Sequence, residues 1–138
     1  MLELKNISKT FNIGTVNEQT LFTGFSLTVE KGDFISVVGS NGSGKTTMLN
    51  IISGSIPVDG GSVILDGEDI TKLPEFRRAA KIGRVFQDPS VGTVPGLSIL
   101  ENLSVAANKG RPYGLQFAVP KKKNDRLYSA VAELGLGL

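Results

Sequence analysis

Apolar and polar residues alternate in the first part of the chain, and this alternation predicts half-buried β-strands. The first alternating segment contains Leu2, Leu4 and Ile7. Residues 12–20 are polar and include a glycine, which predicts a loop. Residues 21–30 alternate again and end at a Lys-Gly-Asp turn. We therefore predict two antiparallel strands near the N-terminal end of the chain.

Longer apolar runs, separated by turn residues, characterise the middle of the chain. Residues 34–38 form an apolar run that predicts a strand, and residues 48–52 predict the start of a helix. Residues 62–67 predict a strand that enters a turn, and residues 82–86 predict a further strand. A short charged helix is predicted over residues 74–81, because a proline at its first position costs no hydrogen bond.

Two more helices are predicted toward the C-terminal end. Ser98 is a predicted N-cap, since Glu101 lies three residues later in the capping-box relation. Residues 108–120 predict a surface loop, and residues 124–134 predict a helix with one apolar face. Lysines occupy residues 121–123 just before it, and three charges at the start of an exposed helix indicate a solvated surface rather than a patch for nucleic acid or lipid.

The composition is typical of one globular domain, with 40% hydrophobic and 20% charged residues in 138. Cysteine and histidine are absent, which excludes disulfides, thiolate metal sites and a histidine general base. The net charge of +2 is too small to indicate a nucleic-acid partner. No apolar run approaches the length of a membrane span and the N-terminus lacks the apolar core of a signal peptide, so we expect a cytoplasmic chain.

The strongest chemical signal follows the predicted strand at residues 34–38. It fits the phosphate-binding P-loop pattern of Gly, four residues, Gly-Lys and then Ser or Thr. Glycines allow the backbone to turn its N–H groups inward, and the following helix presents unpaired N–H groups to an anion. The predicted nucleotide-binding residues are Gly39, Ser40, Asn41, Gly42, Ser43, Gly44, Lys45, Thr46 and Thr47.

Two side chains of this loop have predicted roles of their own. Lys45 would bind the β- and γ-phosphates as a point charge. The Thr46 hydroxyl would occupy one coordination position of a Mg²⁺ ion that bridges these phosphates. A Gly- and Ser-rich turn without function is the competing interpretation, and the predicted strand before it and helix after it argue against that.

Several segments together give the chain a family resemblance. The loop sequence, the upstream Phe11, the strand and turn at residues 61–67 and the Phe-Gln-Asp-Pro segment at residues 86–89 resemble the nucleotide-binding domain of an ABC transporter. The resemblance covers essentially all 138 residues. Residues 71–75 and 83–89, followed by Gly-Thr, are most similar to ATPases of bacterial tryptophan/tyrosine-type or related amino-acid uptake systems.

The resemblance implies an α/β fold with a P-loop NTPase core of the ABC ATPase type, truncated within the helical subdomain. Residues 1–138 would then be the N-terminal part of one nucleotide-binding domain. Within it, residues 1–33 would supply strands of an antiparallel β-subdomain. Residues 34–97 would form the P-loop core and the Q-loop, and residues 98–138 would begin the helical subdomain.

The resemblance also implies further site residues. Phe11 would stack on the adenine of ATP, although a phenylalanine at a strand end also packs commonly into a core. Gln87 would be the Q-loop glutamine, a Mg²⁺ ligand and, with Lys45, a catalytic residue, whereas an isolated loop glutamine is usually only solvated. Residues 88–108 would face a permease subunit, and ordinary packing is an equal alternative for their apolar side chains, Leu97, Ile99 and Leu100.

Three motifs of a complete ABC ATPase do not occur in the sequence: the Leu-Ser-Gly-Gly-Gln signature, a Walker B strand ending in Asp-Glu, and the switch histidine. Asp66 follows an apolar strand, but Gly67 and Glu68 after it match an earlier strand and turn of the family, so we do not assign it as a metal ligand. We interpret the chain as an N-terminal portion of a longer ATPase subunit. Without the Walker B strand, residues 34–38 would have an unpaired apolar edge that favours aggregation.

The resemblance implies a bacterial transporter subunit that hydrolyses ATP to drive uptake of a small solute, such as an amino acid. Its partners would be permease subunits contacted through the Q-loop region, a second nucleotide-binding domain arranged head to tail and, indirectly, a substrate-binding protein, with no nucleic acid. It would be cytoplasmic and bound to the inner face of the membrane through the permease. The alternatives are an ABC-type ATPase outside transport, or a non-catalytic nucleotide-binding fragment.

Overall fold

A computed structural model describes residues 1–109, 127–129 and 131–133 of the chain. The chain divides into two units, Met1–Ile82 and Gly83–Leu138. Within the described residues no helix combines the length and apolar character needed to cross a membrane.

The first unit contains a four-stranded antiparallel sheet. Its strands are β1 (Leu2–Phe11), β2 (Gln19–Val29), β3 (Gly60–Leu65) and β4 (Glu68–Asp69), in the spatial order β2-β1-β3-β4. The two predicted N-terminal strands are therefore confirmed, and both are longer than the alternating segments that predicted them. The predicted strand at residues 62–67 is also confirmed: it corresponds to β3, which pairs with β1 and is followed by a turn.

The pairing of β1 with β3 is irregular and depends on one glycine. The register shifts between Lys5 and Ser8, where β1 contains more residues than β3. Gly61 lies in this region with φ of +86°, and a Cβ atom there would collide with the carbonyl oxygens of Lys5 and Asn6. Only glycine satisfies both the left-handed backbone and the close approach of the two strands.

Helix α1 (Lys45–Ser53) packs on this sheet and confirms the helix predicted after the loop. The buried hydrophobic residues of the unit come from the helix, from β1 and β3 and from the segment after β4: Leu4, Ile7, Met48, Ile51, Val63 and Ile70. The helix ends at Gly54, which has φ of +87° and donates its N–H to the carbonyl of Asn50 at 3.0 Å. The core therefore fixes the helix that carries Lys45 against β1 and β3.

Two strand predictions are wrong. Residues 34–38 and 82–86 have no regular secondary structure. Phe34 and Val38 are 97% and 90% exposed, and Val85 is 97% exposed. A strand requires hydrogen-bonding neighbours, and no strand in the described part of the chain pairs with either segment. These segments are apolar, but an apolar composition does not by itself provide a neighbouring strand to pair with.

A shorter helix replaces the one predicted over residues 74–81. Helix α2 (Glu75–Arg78) has Pro74 as its N-cap, and residues 79–81 continue as turns. A residue at the start of a helix donates no helical hydrogen bond, so proline is tolerated there. The predicted start of the helix was correct to within one residue.

The second unit contains a 3₁₀ helix (Pro89–Gly92) and helix α3 (Ile99–Ala107). The capping box predicted for α3 is present. The Ser98 hydroxyl accepts a hydrogen bond from the Glu101 N–H at 3.3 Å, and the Glu101 carboxylate accepts one from the Ser98 N–H at 2.8 Å. Residues 127–129 and 131–132 are helical, as predicted within residues 124–134. The remainder of that predicted helix and the three lysines at 121–123 lie outside the described residues.

Candidate functional site

The glycine-rich loop lies between the exposed segment at residues 34–38 and helix α1. Gly42 and Gly44 adopt φ of +82° and +92°, values that L-residues with a side chain rarely adopt. The Ser43 N–H donates to the carbonyl of Ser40 at 3.3 Å, which closes a turn within the loop. Two of the three predicted glycines of the loop therefore occur where the backbone is left-handed.

Gly44 joins the loop to the helix. It is the N-cap of α1, and its carbonyl accepts the first helical hydrogen bond, from the Met48 N–H, at 2.8 Å. A Cβ atom at this position would lie 3.0 Å from the ring of Phe22 and 3.1 Å from a methyl group of Leu21. Both side chains belong to β2, so the antiparallel sheet restricts where the start of α1 can lie.

The N-terminus of α1 has the features of an anion-binding site. Its N-cap is a glycine, no side chain caps it, and its first turn contains no acidic residue. The first N–H groups of a helix have no partner within the helix and carry a partial positive charge. Lys45, Thr46 and Thr47 supply these N–H groups, and Thr46 is exposed. A phosphate group is the type of ligand that this arrangement favours.

Lys45 is folded back over the loop. Its ammonium donates to the carbonyls of Gly39 at 2.8 Å and Ser40 at 2.7 Å. None of the ion pairs found among the described residues involves this ammonium. The charge is therefore held only by carbonyl dipoles, and it is available to an anionic ligand that reaches the loop.

The loop offers few ligands to a metal ion. Among the residues that the structure describes, no cluster of three or more acidic, histidine or cysteine side chains is suited to hold a metal. The Thr46 hydroxyl is a hard oxygen donor at the open helix N-terminus. A Mg²⁺ ion suits such a site, because it is commonly held by one or two protein oxygens together with phosphate oxygens and water.

Phe11, the predicted adenine-stacking residue, is half-buried at the end of β1 in the same unit as the loop. The Lys9 ammonium lies over its ring, 5.4 Å from the ring centroid. The same ammonium forms an ion pair with Asp59 at 2.8 Å. The hydrogen bond from Lys9, together with one from the Thr10 N–H, lowers the pKa of the Asp59 carboxyl below its usual value of 3.8.

Gln87 belongs to the second unit. It is exposed and lies in a bend before the 3₁₀ helix, close in sequence to Phe86, over which the Arg84 guanidinium lies 4.5 Å from the ring centroid. Ile99 and Leu100 line an apolar cavity of about 190 Å³ with three other residues, Leu103, Tyr128 and Val131. This cavity is compatible with both interpretations of these side chains, a partner surface and ordinary packing.

Arg78 has a structural role that the sequence did not predict. It is only 3% exposed and donates hydrogen bonds to four backbone carbonyls, those of Ile51, Ile52, Thr71 and Leu73. Burial lowers the pKa of its guanidinium. Two of the carbonyls end helix α1, whose C-terminus carries a partial negative charge. In the sequence, Arg78 is one of two adjacent arginines, and no local pattern distinguishes it from the exposed Arg77.

Three comparisons with known proteins agree on one family. The family model described as "ABC transporter" matches residues 22–138. The tyrosine transport ATP-binding protein of Clostridioides difficile (strain R20291) is 46% identical over 125 residues, which are 91% of this chain and 50% of that protein. The ABC transporter ATP-binding protein YxdL of Bacillus subtilis (strain 168) is 38% identical over 99% of this chain and 51% of its own length. The chain thus spans about half the length of these two relatives.

Solved structures of similar fold are ATP-binding cassettes. A dimeric post-hydrolysis cassette, MJ0796 bound to ADP and Pi, superposes with a TM-score of 0.74 and 28% identity, over 96% of this chain and 56% of that one. A nucleotide-free cassette from an ABC transporter gives a TM-score of 0.76 and 27% identity, over 99% and 55%. These matches confirm the predicted α/β fold of the ABC ATPase type and the family resemblance seen in the sequence.

Proposed function

Since the chain belongs to the ABC transporter family of ATP-binding proteins, we propose that it supplies the nucleotide-binding loop of a bacterial transporter subunit that binds and hydrolyses ATP. One observation carries this proposal. The uncapped N-terminus of α1 and the Lys45 ammonium, which has only carbonyl partners, converge on the same glycine-rich loop. Helix N–H groups and a lysine at one loop are the groups that bind a polyphosphate.

In the proposed complex, Lys45 leaves the carbonyls of Gly39 and Ser40 and binds the β- and γ-phosphates. The N–H groups of the loop and of the first turn of α1 bind the remaining phosphate oxygens. The Thr46 hydroxyl is the proposed protein ligand of Mg²⁺ at this loop, and the role of the Gln87 amide as a Mg²⁺ ligand stays a prediction from the family resemblance. When bound, Mg²⁺ would neutralise part of the phosphate charge, whereas Lys45, Thr46 and the loop position the phosphates.

Phe11 is the proposed contact for the base. An aromatic ring offers a flat apolar surface to adenine, and stacking on such a ring is commonly worth about 1–3 kcal/mol per base. Its place at the end of β1 supports this role, since the sheet and not a loop determines its position.

The similarity to a tyrosine transport protein supports an amino-acid or related small solute as the transported substrate. The dimeric cassette structure supports a second nucleotide-binding domain as partner. Permease subunits would contact the Q-loop region around Gln87, and a substrate-binding protein would act indirectly. Such a protein is cytoplasmic and lies at the inner face of the membrane through its permease.

The sequence contains the groups that position ATP but not the signature, the Walker B carboxylates or the switch histidine. We therefore expect the 138-residue chain to bind Mg-nucleotide weakly and to turn it over negligibly. Steady ATP hydrolysis by this chain that Lys45→Ala abolishes would contradict that expectation. Binding without turnover is also what a non-catalytic nucleotide-binding module would show.

The binding proposal is tested by calorimetric titration of the 138-residue chain with Mg-ATP. Lys45→Ala removes a charge-assisted contact to phosphate, and we expect affinity to fall roughly 10- to 100-fold. Lys31→Ala is the matched control, because it removes an exposed lysine from the turn after β2. Equal affinities for wild type and Lys45→Ala would refute the assignment of the loop.

A further inference from the structure

The end of β1 before Phe11 has a neighbouring strand on one side only. On one side, β3 begins at Gly60, which pairs with Ser8, so β3 provides no partner for the last residues of β1. On the other side, Thr10 and Phe11 pair with Thr20 and Gln19 of β2, after a register shift that follows Lys9. A strand end with an incomplete ladder frays unless other groups satisfy its backbone.

Asp59 supplies hydrogen bonds that this strand end does not obtain from β3. One of its carboxylate oxygens accepts the Thr10 backbone N–H at 2.7 Å, and the other accepts the Lys9 ammonium at 2.8 Å. Its own backbone N–H donates to the carbonyl of Ser8 at 2.9 Å. Asp59 therefore continues the hydrogen bonding of β3 along β1 by means of its side chain.

Lys9 links this carboxylate to the aromatic ring of Phe11. Lysine is rarely buried unless it is paired, and Lys9 is only 9% exposed. Its ammonium lies over one face of the Phe11 ring, where the electron density of the ring attracts a cation. The ring is thereby contacted by a cation on one face, which leaves a base only the other face for stacking.

We propose that Lys9 and Asp59 are positioning residues for Phe11, and that they orient its ring for a purine base bound together with the phosphates at the loop. This inference rests on the proposed function, since it presumes that Phe11 contacts a nucleotide. It predicts that the Lys9–Asp59 pair affects the affinity for the base, through Phe11, but not the affinity for the phosphates.

The test compares two ligands, Mg-ATP and inorganic Mg-tripolyphosphate, which has the phosphates but no base. Lys9→Met keeps the aliphatic stem and removes the ammonium. We expect it to weaken ATP about 3- to 10-fold, the range of a partly desolvated cation–π contact, and to leave tripolyphosphate unchanged. Phe11→Ala should show the same selectivity with a larger loss, roughly 5- to 100-fold. Lys5→Met, in the same strand but exposed, is the control and should bind both ligands as the wild type does.

Asp59→Asn provides a second variant if Lys9→Met folds poorly, because it keeps the size of the side chain and an acceptor for the Thr10 N–H. It too should lower the affinity for ATP relative to tripolyphosphate. The inference is overturned if Phe11→Ala weakens ATP selectively while Lys9→Met and Asp59→Asn do not. It is also overturned if the two variants weaken both ligands equally, which would indicate a general structural role. Failure of the proposed function is distinct: Lys45→Ala would then leave the binding of both ligands unchanged.

Discussion

Replacing the buried Arg78 by methionine should destabilise the first unit far more than the same replacement of its exposed neighbour Arg77. The guanidinium donates to the carbonyls of Ile51 at 2.7 Å, Ile52 at 3.0 Å, Thr71 at 2.8 Å and Leu73 at 2.9 Å. These contacts tie the end of α1 to the segment between β4 and α2. Methionine keeps most of the apolar stem but can donate none of the four hydrogen bonds.

The magnitude follows from two opposing effects. Loss of four charge-assisted hydrogen bonds, each worth about 1.5 kcal/mol in net stability, amounts to about 6 kcal/mol. Removal of a buried charge relieves a desolvation cost of several kcal/mol, which offsets part of that loss. We therefore expect the free energy of unfolding to fall by about 3 kcal/mol, a large part of the 5–15 kcal/mol typical of a domain.

Urea unfolding followed by circular dichroism measures this change. Arg77→Met is the matched control, because Arg77 occupies the same helix but is exposed, and its substitution should change stability by no more than about 0.5 kcal/mol. If Arg78→Met unfolds within about 1 kcal/mol of the control, the four hydrogen bonds do not stabilise the fold and the reasoning fails.

Two other predictions concern the loop and the end of β1. Gly44→Ala and Gly42→Ala both force alanine into a left-handed backbone at a cost of about 1–2 kcal/mol, but only Gly44 has the Phe22 ring 3.0 Å from the added Cβ. Gly44→Ala should therefore have the lower melting temperature of the two, and equal values would contradict the contact with β2. Because Lys9 lowers the pKa of Asp59 in the folded chain, the stabilisation by this ion pair is present above about pH 4 and is lost as the pH falls through the lowered pKa. Asp59→Asn should consequently reduce the loss of stability on acidification, as measured by urea midpoints between pH 7 and pH 3, roughly the range in which carboxyls titrate.

Local features were predictable because the atoms that satisfy them lie close together in sequence. The capping box needs only Ser98 and Glu101, which are three residues apart. The positive φ angles of Gly42 and Gly44 follow from a loop that has to turn its N–H groups toward a ligand. The alternation in β1 and β2 likewise indicated two strands with one buried face, although their ends extended beyond the pattern.

Long-range features were not predictable, since they depend on partners chosen by the fold. The sequence alone determined the glycine-rich loop, the helix after it, and the residue types suited to phosphate. Only the tertiary structure decided that residues 34–38 lack strand neighbours, that Arg78 rather than Arg77 is buried, and that Asp59 reaches Lys9 across 50 positions. A hydrogen bond or a strand pair requires two groups to meet in space, and for groups far apart in sequence that meeting is set by how the whole chain packs.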